Sequence, residues 1–275
     1  MSNSVKCFRV ICKRFGGMAP VIASLLIIAG CRSAAPVTPQ SDIATVQARW
    51  TSSVEHYQRL RLRGQIQVQW QDEDGSHREQ GDLDALLDGE VRSSMRITKF
   101  GDVMLWFTVT PNRAWIFDML SEPSRLTVRT PEQLQTQLAV RPEVLRLLLG
   151  IDPWPADAKV QLFGGDVVLT ATTLGGQLTA TLEASTLRPQ VITLAFPEEG
   201  TFVGRHRWTT GEVRVGGAQG GRPIATVVDI VTPEGLLKLR TSTAVALTAE
   251  EMKPLAAVWF DLDRIRSHLK PEVLE

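Results

Sequence analysis

Between residues 61 and 247 the hydrophobic pattern changes period several times, and each change marks an element. Leu62, Gly64, Ile66, Val68 and Trp70 alternate with Arg61, Arg63, Gln65, Gln67 and Gln69. A period of two with one apolar side is a strand buried on a single face. Asp72-Glu73-Asp74-Gly75 reads as the turn after it; its acids are spaced like a calcium loop, but the ligand positions after Gly75 are not filled. Strands are expected over 78–87, 90–100, 103–110 and 113–120, joined by Asp88-Gly89, Gly101-Asp102 and Pro111-Asn112. Connectors this short make antiparallel neighbours, hence a meander. Strands resume over 159–163, 167–173, 177–184, 190–196, 205–215, 224–231 and 236–247, with turns at Gly164-Gly165-Asp166, Gly175-Gly176 and Pro233-Glu234-Gly235.

Helical spacing appears at five places. Over 42–59, Ile43, Val46, Trp50, Val54 and Tyr57 recur at steps of three and four, and Ser41 or Asp42 can cap the first turn. This stripe either docks on a sheet or lids a cavity. Thr130-Pro131-Glu132-Gln133 is a capping box with proline at the first helical position, and the short helix after it carries Leu134 and Leu138. A further helix runs from Pro142 through Val144-Leu145-Arg146-Leu147-Leu148-Leu149 to Gly150. It is apolar nearly all round, so it is sandwiched between surfaces or faces something greasy. Thr248 and Glu251 form a second capping box opening a helix over 248–253 that Pro254 should kink or end, and 261–269 adds one more. The fold class is mainly β with helices (α+β).

The first 31 residues set the compartment. Lys6, Arg9, Lys13 and Arg14 precede an apolar run over 18–29 with no acidic residue among them, as in a secretory signal. The end of the run, Ile28-Ala29-Gly30-Cys31, resembles the lipobox of bacterial lipoprotein precursors, in which the cysteine thiol is acylated and the chain cut before it. The alternative, a membrane helix, is too short, since a span needs about 20 apolar residues. Residues 1–30 then form a signal peptide and Cys31 the lipid attachment site. Residues 31–41, with Ser33, Pro36, Thr38 and Pro39, form a flexible tether. Several acyl chains at about 0.8 kcal/mol per buried methylene would anchor the protein to a membrane nearly permanently. Arg32, where an aspartate retains some lipoproteins in the inner membrane, favours the outer membrane, with the domain facing the periplasm.

Charge and composition narrow the function. Without residues 1–30 the chain keeps 26 basic against 30 acidic residues, about four units negative, which excludes the basic face of a nucleic-acid binder. Cys7 and Cys12 leave with the signal, so Cys31 has no partner for an internal disulfide. There is no Gly-x-Ser-x-Gly elbow, P-loop or His-Glu-x-x-His. His56, His77, His206 and His268 are isolated, so no metal site is expected, nor a cofactor. Glu198-Glu199 and the pair Asp261 and Asp263 read as solvated acids, and Arg205-His206-Arg207-Trp208 is a small patch for an acidic protein. What stands out is apolar excess: Met104-Leu105-Trp106-Phe107 and Trp115-Ile116-Phe117 are apolar on both faces of their strands. Periodicity alone does not separate a filled core from a hollow one.

Tyr57-Gln58-Arg59-Leu60 running into Arg61-Leu62-Arg63-Gly64-Gln65-Ile66-Gln67-Val68, the segment Pro111-Asn112-Arg113-Ala114-Trp115-Ile116-Phe117-Asp118, and Leu187-Arg188-Pro189-Gln190-Val191-Ile192-Thr193-Leu194 together carry a resemblance. Over 42–247 the chain resembles the lipoprotein-localisation-factor superfamily, the LolA/LolB-like lipid carriers. The resemblance implies a strongly curved antiparallel sheet forming an incomplete barrel, its open side plugged by α-helices over an apolar cavity that takes acyl chains of a lipid or lipoprotein. Strand alternation and helix faces give the candidate lining as Leu62, Ile66, Val68, Leu105, Phe107 and Ile116, with Trp50, Leu145 and Leu148 from the lid. The hydrophobic loop that membrane-anchored members insert has Phe100-Gly101 as its counterpart, and the C-terminal helical extension, 248–275, has no equivalent. The alternative is a non-catalytic envelope adaptor with a solid core that docks a partner protein. An enzyme is disfavoured for want of a nucleophile or metal constellation.

Overall fold

The computed structural model describes residues 43–73, 75–89, 92–135, 140–216 and 223–274. Cys31, the signal, the tether and Leu138 lie outside the described residues. Helix α1 (Ile43–Glu55) passes through a 3-10 turn, His56–Gln58, straight into β1 (Arg59–Asp72), which pairs along its length with β2 (Gly75–Asp88). The meander continues through β3 (Arg92–Lys99), β4 (Asp102–Val109), β5 (Ala114–Asp118) and β6 (Arg125–Arg129). Helices α2 (Pro131–Gln135) and α3 (Pro142–Leu148) then cross to a second meander. Its strands are β7 (Lys159–Phe163), β8 (Asp166–Thr173), β9 (Gly176–Glu183), β10 (Pro189–Phe196), β11 (Gly200–Val213), β13 (Ile224–Thr232) and β14 (Gly235–Ala246). A two-residue strand β12 (Val215–Gly216) sits beside β14, and the chain closes with α4 (Ala249–Trp259), α5 (Leu262–Leu269) and β15 (Val273–Leu274).

All of these strands belong to one sheet in the order β15-β6-β5-β4-β3-β2-β1-β14-β13-β11-β10-β9-β8-β7, with β12 to one side. The two meanders join where β1 pairs antiparallel with β14. The sheet is curved, and its ends do not meet to close a barrel. At the join, β1 carries a register shift between Arg63 and Gly64. A Cβ on Gly64 would fall 1.9 Å from the Arg240 carbonyl oxygen, so only glycine allows the strands this approach. Two short parallel pairs, β12 with β14 and β15 with β6, depart from the expected all-antiparallel pattern.

The sheet buries both faces in its β2–β6 half, and alternation assigns each side chain. On one face Leu83, Ala85, Leu87, Leu105, Phe107 and Ile116 join the large core. On the other, Leu86, Trp106, Trp115, Phe117 and Leu126 form a second core with Met252, Trp259 and Ile265 of α4 and α5. The strands that read as apolar on both sides are therefore covered twice, once by the interior and once by the C-terminal helices. Arg96 lies between the rings of Trp106 and Trp259, 5.3 and 5.2 Å from their centroids, and pairs with Asp84, which also takes Arg61.

Two expectations are corrected. Helix α4 passes through Pro254 to Trp259 instead of stopping, because the capping box holds its first turn and Met252 and Trp259 bury on the sheet, offsetting the lost backbone bond. The strand β6 was not expected, since Arg125–Arg129 is short and interrupted by charge; its pairing with β5 supplies what its composition does not.

Candidate functional site

Between the inner face of β1–β5, the start of β14 and helix α3 lies an apolar cavity of about 110 Å3. An engineered apolar cavity of roughly 150 Å3 already accepts benzene, so this is room for a segment of hydrocarbon. Of the residues expected to line it, Leu62, Ile66, Val68, Leu105, Phe107, Ile116 and Leu145 are in the wall. Trp50 and Leu148 are not. Trp50 is fully buried on α1, stacked on Trp154 with its indole N–H donating to the Asp152 carbonyl at 3.2 Å. Leu148 faces away from the cavity onto β11, where a Cβ on Gly204 would lie 2.6 Å from the Leu148 carbonyl oxygen.

Helix α3 is placed by that close seat and by Gly150, whose positive φ of 65° ends the helix. One side, with Val144 and Leu148, is buried in the core, while Leu145 and Leu149 reach the cavity. The all-round apolar surface of this helix thus has both of its expected explanations. The rest of the wall comes from positions the sequence reading did not select: Leu83, Ala85 and Leu87 of β2, Met95 and Ile97 of β3, and Leu237 and Leu239 of β14. Each set alternates at period two, the signal used for β1, but nothing in the alternation says which neighbour shares the hollow.

Polar groups in the wall are few. Ser94 and Thr108 share a hydrogen bond of 2.7 Å, and Trp106 Nε1 donates to Ser94 Oγ at 2.9 Å, so Ser94 is satisfied. Arg146 and Glu234 are the wall's charged side chains. Arg146 Nε donates to Asp152 Oδ1 at 2.7 Å. Among the described residues, no group of three or more His, Cys, Asp or Glu is placed to hold a metal. His206 Nε2 lies 3.0 Å from the Leu148 carbonyl oxygen and its ring stacks on Trp208. The carboxyl groups of Glu132 and Glu251 are held below the usual glutamate value, each lowered first by a backbone hydrogen bond and then by a threonine hydroxyl at its helix cap. No helix among the described residues is long and apolar enough to cross a membrane.

No family model matches the chain, and no curated protein matches it. Solved structures do. A DUF1329 family protein from Desulfovibrio piger aligns with TM-score 0.51 and 12% identity over 79% of this chain and 98% of that one. The two share a fold. A domain named as an outer membrane lipoprotein-sorting protein, from Vibrio parahaemolyticus, aligns with TM-score 0.48 and 12% identity over 80% of this chain and 99% of that one. A LolA superfamily protein from Nitrosomonas europaea gives TM-score 0.48 and 10% identity over 75% and 96%. At 12% identity the likeness to the Desulfovibrio piger protein is one of fold.

Proposed function

We propose that this chain is a lipid-anchored protein of the bacterial cell envelope that takes acyl chains of a lipid or lipoprotein into its half-barrel cavity, as carrier or acceptor. The observation that carries this reading is the hollow itself, an almost wholly apolar wall under a short helix. Each methylene transferred into it from water gains about 0.8 kcal/mol, so affinity needs no covalent chemistry. A complete acyl chain is larger than about 110 Å3, so the hollow takes a segment of it. Cys31 is the anchor in this reading, and the 31–41 tether gives the domain reach from the membrane. Phe100, 95% exposed at the β3–β4 turn, is the membrane-facing tip.

Titration of the mature, delipidated protein with a fluorescent acyl-chain probe tests the reading. Saturable binding that is abolished by Leu105→Asp supports it; no binding, or binding untouched by that substitution, rejects it.

A second role is favoured by one feature. Strand β7 ends the sheet, and Leu162 and Phe163 at its tip are 43% and 79% exposed. An open edge with apolar side chains suits addition of a strand from an envelope protein partner. A native pull-down from membranes that loses its partner on Phe163→Lys would support docking there.

A further inference from the structure

Arg146 is the basic residue of the cavity wall, and its side chain is only 5% exposed. Its Nε and Nη2 are taken by the carboxylate of Asp152. Its other terminal nitrogen, Nη1, is buried with no hydrogen-bond partner. A buried, charged donor left unmade is costly, and in an otherwise greasy cavity it marks where an acceptor belongs.

The charge around it selects the kind of acceptor. Asp152 already neutralises Arg146, and the other ionisable wall residue is Glu234. An ionised fatty acid would bring a second negative charge to a wall with no positive charge to spare, and an uncompensated charge in such a place is strongly disfavoured. A carbonyl oxygen of an ester or amide accepts from Nη1 without that penalty. Two further orphan atoms, on other residues of the wall, point the same way. Trp70 and Glu234 also line the wall, and Trp70 Nε1 and Glu234 Oε2 are buried without partners. They stand on adjoining strand ends, Trp70 pairing with Gly235. One is a donor and one an acceptor, which suits an uncharged hydroxyl-bearing headgroup and not a carboxylate.

Resting on the acyl-chain reading of this cavity, we propose that its ligand is an uncharged acyl ester or amide whose carbonyl oxygen accepts a hydrogen bond from Arg146 Nη1, and that free ionised fatty acids are discriminated against. The test is displacement of a fluorescent acyl-chain probe by three competitors of equal chain length: monododecanoylglycerol, its ether analogue dodecylglycerol, and dodecanoate at alkaline pH. The ester should compete about tenfold better than the ether, the worth of one hydrogen bond to a charged donor, with dodecanoate weakest. Arg146→Met alone would strand the Asp152 carboxylate, so the variant is Arg146→Met with Asp152→Asn. In it the ester should fall to the ether's affinity while the ether's own affinity holds, which also shows that the variant is folded. Dodecanoate competing as well as the ester, or an ester advantage that survives the double substitution, overturns carbonyl recognition. Equal competition by ester and ether in the unmodified protein also overturns it but leaves the acyl-chain reading standing. Failure of all three competitors removes both.

Discussion

Trp50 and Trp154 stack with ring centroids 4.6 Å apart and planes 15° from parallel. The same Trp50 donates its indole N–H to the carbonyl of Asp152, whose carboxylate holds Arg146 of α3. Helix α1 is thus clamped to the segment that follows α3, and its role is to fix the far side of the core. Trp50→Ala should destabilise the fold by about 3–5 kcal/mol, the usual cost of truncating a buried tryptophan. Because Trp50 is outside the cavity wall, the folded fraction should keep its affinity for a hydrocarbon probe. Thermal melts with and without the probe measure both effects.

The outer core makes a separate prediction. Trp259 meets Trp106 edge-on at 5.5 Å and covers the face opposite the cavity. Trp259→Ala should cost about 3–5 kcal/mol as well, and a chain ending at Leu247 should expose Trp106, Trp115 and Phe117 as one patch and aggregate. Light scattering of the truncated and full-length proteins side by side checks this.

Stability should fall in acid partly through the cap of α4. Glu251 accepts from the Thr248 backbone N–H at 2.8 Å and from its hydroxyl, which holds its carboxyl below the usual glutamate value. A carboxyl whose folded pKa is depressed contributes stability above its unfolded pKa, and loses it as pH falls through the folded one. Glu251→Gln should therefore melt lower than the unmodified protein near neutral pH, with the difference shrinking toward zero in strong acid. Melting curves across that range decide it.

Phe100 makes no packing contribution that its exposure of 95% would allow. Phe100→Ala should change the unfolding free energy by no more than about 0.5 kcal/mol, as surface changes do, while lowering partition of the delipidated domain onto lipid vesicles. Sedimentation with vesicles measures the second effect.

Much of this fold is legible in the sequence because period-two alternation survives in β1, β8, β9 and β10, where one face is wet. Strands β4 and β5 are different. Their doubly apolar pattern gives the element but not what covers each side, and half of it is spent on α4 and α5, not on the hollow. Trp50 shows the same limit for a helix: spacing placed it on the buried stripe of α1 but could not tell a lid from an anchor, because its partners Asp152 and Trp154 lie about a hundred residues away. The strand β6 and the run of α4 through Pro254 were hidden for a related reason, since tertiary packing overrides local preference at both.

The central claim is that hydrocarbon enters the space between α3 and the inner face of β1–β5. An acyl ester carrying a nitroxide on its chain, added to protein with labelled methyl groups, tests it most directly by NMR. The methyls of Leu83, Leu105, Ile116 and Leu145 should broaden most, and more than those of Leu126 and Ile265 across the sheet in the outer core. Broadening confined to the outer core, or none at a saturating concentration of ester, would contradict the account.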